Sequence, residues 1–178
     1  MKILAFAASS SSQSINKKLV TYATSLIENA EVKVIDLNDY ELPMFSEDKE
    51  RELGQPTLSK DFLNEIHNSD AVIISFAEHN GSYSVAYKNI FDWSSRINPK
   101  VFQDKPMIML ATSPGESGGA SVLATAVNSA PYFAGNVVGS CSVPSFYDNY
   151  DFELGQISNS VIQSEIQVVV NKLPQKTR

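Results

Sequence analysis

Cysteine is nearly missing: the chain holds one, Cys141. A disulfide within the chain is therefore impossible, and so is a thiolate metal cage. Histidine is almost as scarce. His67 and His79 stand apart in sequence, so no His/Cys cluster offers itself as a metal site. No apolar run reaches the length a bilayer demands; Ala71-Val72-Ile73-Ile74 is typical. Met1-Lys2-Ile3-Leu4 meets a serine cluster by Ser9, too soon for the apolar core of a secretory leader. Positive charge is not in excess. The net charge is -6, which opposes a chain built to grip a phosphate backbone. What is present suffices for a core: 43% hydrophobic and 19% charged residues over 178 positions. The expectation is a soluble, cytoplasmic protein of one domain, 1–178, with small-molecule partners, no nucleic acid and no membrane.

Five apolar runs have strand length: Lys2–Ala8, Glu31–Leu37, Ala71–Phe76, Met107–Thr112 and Asn136–Cys141. Most are continuous rather than alternating, as in strands buried on both faces of a parallel sheet. Helical period fills the gaps. Ile15, Leu19, Tyr22 and Leu26 form one stripe, with Ser14 as its N-cap. Leu58, Phe62 and Ile66 form a second, and Val85, Tyr87, Ile90, Phe91 and Trp93 a third. Val122, Leu123, Ala126, Val127 and Ala130 form a fourth, closed near Pro131. Ile157, Val161, Ile162, Ile166 and Val169 form a fifth, closed before Pro174. Strand and helix alternate five times, which predicts a doubly wound α/β fold with helices on both faces. Five strands favour the flavodoxin-like order 2-1-3-4-5. Residues 38–56 read as an excursion or a dimer contact. Residues 142–154, with Phe146, Tyr147, Tyr150 and Phe152, read as a surface loop, an interface or a lid. Phe91 and Trp93 suit either the core or a dimer interface.

Ligands of such sheets bind beyond the carboxyl ends of the strands where the order reverses. Three loops lie there. The first, Ala8 to Asn16, sets hydroxyls and free N–H groups at a helix N-terminus. That suits a phosphate monoester or, more blandly, a capped polar turn. It is neither a dinucleotide fingerprint nor a Walker A loop. The second, Ala77 to Ser84, carries the turn pair Asn80-Gly81, which exposes backbone groups able to bond a flat heterocycle's edge. The third, Thr112 to Ala120, has glycines at 115, 118 and 119 that permit close backbone approach, or plain flexibility. A Ser-His-Asp hydrolase is not expected. A receiver domain is not expected either, since Ala8-Ser9 stands where it needs clustered acids. His79 reads as a ligand contact or a loop residue, His67 as a surface or cap residue, and Cys141 as a small buried apolar side chain.

Together the three loops resemble those of the NADPH-dependent FMN reductase family, flavodoxin-like proteins that include azo, quinone and chromate reductases. The first family motif is matched by Ser9, Ser14 and Asn16. The second is matched by Glu78, Asn80, Gly81, Ser82, Lys88, Asn89, Asp92 and Trp93. The third is matched by Ser113, Gly115, Gly118 and Gly119. The likeness covers residues 2 to about 142. Departures are Ala8 for Gly, Ser11 for Arg, Ala77 for Pro, His79 for Tyr, and Ser84-Val85 for Pro-Gly. The Ser11 change removes a guanidinium and its charge-assisted contact. Lys17 and Lys18 follow as possible sources of positive charge.

The resemblance implies a bound FMN. Ser9, Ser11, Ser14, Ile15 and Asn16 would hold its phosphate. Ala77, Glu78, His79, Asn80, Gly81 and Ser82 would line the ring edge. Ser113, Gly115, Gly118 and Gly119 would border its other side. NADPH or NADH would supply hydride, and a flavin, quinone, azo or similar acceptor would take the electrons. No side chain is expected as nucleophile or base, because the cofactor carries the chemistry. A homodimer or dimer of dimers is implied. The rival reading is a non-enzymatic electron carrier or sensor, kept in view by the lost Arg.

Overall fold

The computed structural model describes residues 1–174. In chain order the elements are β1 (Lys2–Ala8), α1 (Ile15–Ser25), β2 (Glu31–Ile35), a 3₁₀ turn (Leu37–Tyr40), α2 (Glu47–Leu53), α3 (Thr57–His67) and β3 (Ala71–Phe76). A small hairpin of β4 (Glu78–His79) and β5 (Ser82–Tyr83) leads to α4 (Val85–Ile97), β6 (Pro106–Thr112), α5 (Ala120–Ser129) and a 3₁₀ turn (Ala130–Phe133). The chain ends with β7 (Asn136–Val143), α6 (Phe146–Asn149), the hairpin β8 (Tyr150–Asp151) and β9 (Gln156–Ile157), and α7 (Ser160–Val170).

The main sheet has the order β2-β1-β3-β6-β7, and every pairing in it is parallel. Counted as the five long strands, this is the predicted 2-1-3-4-5. The continuous apolar runs fall where both faces are covered. All six residues of β3 are buried, as are Ile3 to Ala8 of β1. Alternate side chains feed two cores. One holds Leu4, Phe6, Ile74 and Met109 under α3, α4 and α5. The other holds Ile3, Ala5, Ile73 and Leu110 under α1 and α7. Each large apolar side chain so buried contributes roughly 1.5–3 kcal/mol. Edge strand β2 is exposed at Glu31, Lys33 and Val34, and its charges discourage pairing with another chain.

Several boundaries differ from the sequence pattern for local reasons. β2 stops at Ile35, because the Asp36 carboxylate accepts from Asn38 N–H at 2.9 Å and starts the 3₁₀ turn at Leu37. β7 runs on to Val143, whose carbonyl accepts from Thr112 Oγ1 at 2.7 Å. The last helix begins at Ser160, not at Ile157. Asn159 Oδ1 accepts from Val161 N–H at 3.0 Å and caps it there, while Ile157 belongs to β9.

The 38–56 stretch contains α2 and packs on α4 of its own chain. Asn89 Oδ1 accepts from Phe45 N–H at 2.8 Å, and Asn89 Nδ2 donates to Leu42 O at 3.0 Å. Trp93 Nε1 donates to Pro43 O at 2.8 Å, and Phe45 meets the Trp93 ring edge-on at 5.1 Å. Phe91 and Trp93 are core residues. The motif residues Asn89 and Trp93 thus hold the excursion in place, while Lys88 and Asp92 pair with each other at 2.7 Å.

Candidate active site

The three loops converge on one cleft of about 220 Å³ at the carboxyl edge of the sheet. From the first loop it is lined by Ser9, Ser11, Gln13, Ser14, Ile15 and Asn16. The second contributes Ala77, Glu78 and His79, and the third Thr112, Ser113 and Pro114. Tyr147 completes the wall. A larger concavity, about 510 Å³, lies at the opposite end beside Met1, Leu26 and Leu173. It is remote from the strand carboxyl ends, where ligands of this architecture bind.

Hydroxyls of the first loop are arranged for an anion. Ser9 Oγ accepts from Ser11 N–H at 3.2 Å, Ser11 Oγ from Gln13 N–H at 3.2 Å, and Ser14 Oγ from Lys17 N–H at 3.2 Å. Each oxygen is thereby oriented, and its own hydrogen remains to donate. Ile15 and Asn16 begin α1, so their N–H groups have no intrahelical acceptor. This donor set and the positive end of the helix fit a phosphate monoester. Lys17 does not supply the missing guanidinium. Its Nζ lies 2.5 Å from Asp36 Oδ2, and that hydrogen bond is the main reason the Asp36 carboxyl titrates below its usual range. Lys18 lies 5.6 Å over the Phe152 ring.

Asn16 fastens the cleft together. Its side chain is buried, and Oδ1 accepts from Ser75 Oγ at 2.7 Å and from Thr112 N–H at 3.1 Å. Nδ2 donates to Thr112 O at 3.1 Å. One amide therefore locks α1 to the ends of β3 and β6, leaving its backbone N–H for a ligand. Two further ties act alike. Ser84 Oγ donates to Ala8 O at 2.8 Å while capping α4. Glu78 Oε2 accepts from Val122 N–H at 2.8 Å, placing a carboxylate on the first turn of α5.

Asn80 (φ 52°) and Gly81 (φ 75°) form the two-residue turn between β4 and β5. Asn80, Gly81 and Ser82 lie beyond the cleft wall, as do Gly115, Gly118 and Gly119. Gly118 has a packing reason. A Cβ there would sit 2.5 Å from Ser142 Oγ and 2.8 Å from the Val143 carbonyl carbon. Gln13, Thr112, Pro114 and Tyr147 were missed by motif reading; only Tyr147 carried a signal, as part of an aromatic loop.

Nucleophilic alternatives fail on geometry. Gly115-Glu116-Ser117-Gly118-Gly119 has the spacing of a hydrolase nucleophile turn. Yet Ser117 lacks the strained backbone of such a turn and is absent from the positive-φ residues. Cys141 is buried, and burial, with Glu165 nearby, pushes its thiol up to about 11. Exposed His67 hydrogen-bonds Gln103 at 3.2 Å, far along the chain from the loops. Among the described residues no group of three or more His, Cys, Asp or Glu could hold a metal ion, and no helix is long and apolar enough to cross a membrane.

Fold and cleft define a flavodoxin-like domain with a phosphate-ready helix terminus. The chain belongs to the NADPH-dependent FMN reductase family, whose model matches residues 1–148. It is 34% identical over 109 residues to a quinone reductase of Pseudomonas putida, covering 60% of this chain and 57% of that one. It is 30% identical over 119 residues to an NAD(P)H-dependent FMN reductase of Pseudomonas aeruginosa, covering 66% and 63%. The chain thus spans less than two thirds of either relative's length. A flavoenzyme NAD(P)H:(acceptor) oxidoreductase of Paracoccus denitrificans shares the fold with a TM-score of 0.75 at 24% identity, over 96% of this chain and 93% of that one.

Proposed function

We propose that this chain reduces a small planar acceptor of the quinone class with electrons from NADPH or NADH, using FMN seated in the cleft. The carrying observation is the convergence of the Ser9, Ser11 and Ser14 hydroxyls on the open N-terminus of α1, beside loops tied to it through Asn16 and Ser84. When bound, FMN supplies the two-electron chemistry. The chain's own residues bind and orient. Ser9, Ser11, Ser14 and the N–H groups of Ile15 and Asn16 hold the phosphate by donation. Ala77 to Ser82 flank the ring edge on a short hairpin. Thr112, Ser113 and Pro114 form the facing wall, and the glycine-bearing turn continues beyond it. The Glu78 carboxylate holds α5 against the second loop and fixes the width between those walls. Close packing of loop against loop, rather than a general acid or base, is what this site contributes.

The same reading takes the working form to be a homodimer or a pair of dimers, which analytical ultracentrifugation tests. The activity test is an absorbance spectrum of the FMN-loaded protein before and after anaerobic NADPH, then NADH. Bleaching of the oxidised bands by either donor, and recovery on adding a quinone, supports the reductase. A flavin that neither donor bleaches but dithionite does would establish the carrier or sensor instead, which the neutralised Lys17 and the absent guanidinium favour.

A further inference from the structure

The segment after β7 carries more aromatic surface than folding uses. Phe146 and Tyr150 are buried and stacked, with centroids 4.6 Å apart at 23°. Tyr147 and Phe152 remain 58% and 52% exposed, yet they also stack, 6.0 Å apart at 14°. Phe152 is braced edge-on by Tyr150 at 5.1 Å and covered by Lys18. Exposed rings held side by side form the kind of apolar patch on which a ligand or a partner docks. The turn that presents them is anchored to the third loop. Phe146 N–H donates to Ser113 O at 3.1 Å, and Ser145 N–H to Gly115 O at 2.9 Å. Ser145 itself adopts φ 44°, a left-handed conformation that residues other than glycine seldom take. Two residues on, Tyr147 is the only phenylalanine, tyrosine or tryptophan among the described residues lining the cleft.

We propose that Tyr147, backed by Phe152, is the platform on which the flat ring of the electron acceptor stacks, and that it sets acceptor specificity. The proposal rests on the reading of the cleft as an FMN-dependent acceptor-reducing site. Apart from Ile15, Pro114 and the His79 imidazole, the rest of the wall is small or polar, and Tyr147 is its broadest flat ring. An electron-rich phenol is a suitable partner for an electron-poor quinone. An acceptor must lie against the cofactor to receive electrons, so its ring belongs at the cleft rim, where Tyr147 stands. Tyr147 is thus a positioning residue. The stacked pair carries the ring's apolar contact, and the loops hold the cofactor.

The test is calorimetric titration of menadione, a neutral naphthoquinone, into the FMN-loaded full chain without any donor. Tyr147→Ala is expected to weaken binding about five- to tenfold, the loss of one aromatic stacking contact. Tyr147→Phe keeps it within about twofold, and Phe152→Ala falls between. FMN affinity is read in parallel by flavin fluorescence, and the proposal requires the menadione loss to exceed any FMN loss. Because Tyr147 is exposed, these variants fold, which a thermal melt verifies. Equal menadione binding by wild type and Tyr147→Ala overturns the proposal, as does no binding to either. A parallel loss of FMN affinity also overturns it, by assigning Tyr147 to the cofactor. Since no donor is present, failure of the reductase reading is seen separately, as a flavin that NADPH and NADH leave oxidised.

Discussion

Asn16→Ala removes one side chain that three elements share. The amide is 2% exposed, and all three of its contacts reach groups that are themselves buried at Ser75 and Thr112. At a net value of about 1 kcal/mol each, the three hydrogen bonds are worth about 3 kcal/mol. Leaving the Thr112 backbone groups dry raises the loss to about 4–5 kcal/mol. That is a large part of the roughly 5–15 kcal/mol available to a domain. Urea unfolding followed by Trp93, the one tryptophan and fully buried, should show a lower midpoint at unchanged slope. In calorimetry the melting temperature should drop by about 8–15 °C. Asn16→Asp sharpens the argument. It keeps an acceptor for Ser75 and the Thr112 N–H but sets a carboxylate oxygen against the Thr112 carbonyl. It should be at least as damaging as alanine at pH 7, and it should recover as acid restores a proton to donate. A loss below about 1 kcal/mol for alanine, or an aspartate variant indifferent to pH, would refute the view of Asn16 as the fastener of the site.

Other outcomes follow from the same geometry. Gly118→Ala, where the new Cβ meets Ser142 Oγ at 2.5 Å, should cost about 2–4 kcal/mol in urea unfolding. Gly81→Ala, with φ 75° but nothing within 4 Å, should cost only about 1–2 kcal/mol. The Asp36 carboxyl is held down by Lys17, so its contribution is present above the ordinary carboxylate range and fades as pH falls below about 4. Lys17→Met should flatten stability against acid over that window, by well under 1 kcal/mol because the pair is partly solvated. Cys141, pushed up to about 11, should resist iodoacetamide at pH 8 in the folded protein and react only at the rate of unfolding.

Sequence alone reveals the sheet because burial on both faces leaves a simple mark. β1, β3 and β6 read as unbroken apolar runs, and their order is the one favoured by a five-stranded doubly wound fold. It reveals less where side-chain capping decides. Asp36 and Asn159 each act through one local hydrogen bond that hydrophobic period cannot show. The short α2 has no buried residue, so it leaves no apolar stripe at all. In the site, motif residues were legible, but their division of labour was not. Asn16 and Glu78 reach partners 96 and 44 residues away, and Asn89 and Trp93 serve the 42–45 segment rather than the cleft. Tyr147 enters the wall through the left-handed bend at Ser145, a backbone feature without a composition signal.

The strand order also bears on how the chain is made. β1 leaves the ribosome before the other four strands of this sheet and sits inside the finished sheet, between β2 and β3. Pairing with β2 is available once Ile35 has emerged, but the opposite side of β1 waits for Phe76. At about 5–20 residues per second, that interval of roughly 40 residues lasts about 2–8 s. For that time an apolar strand offers open backbone groups to any neighbour. The intervening α2 and α3 segment is rich in charge, from Glu47 to Lys60. A nascent chain carrying it stays hydrated while the sheet waits for its next member.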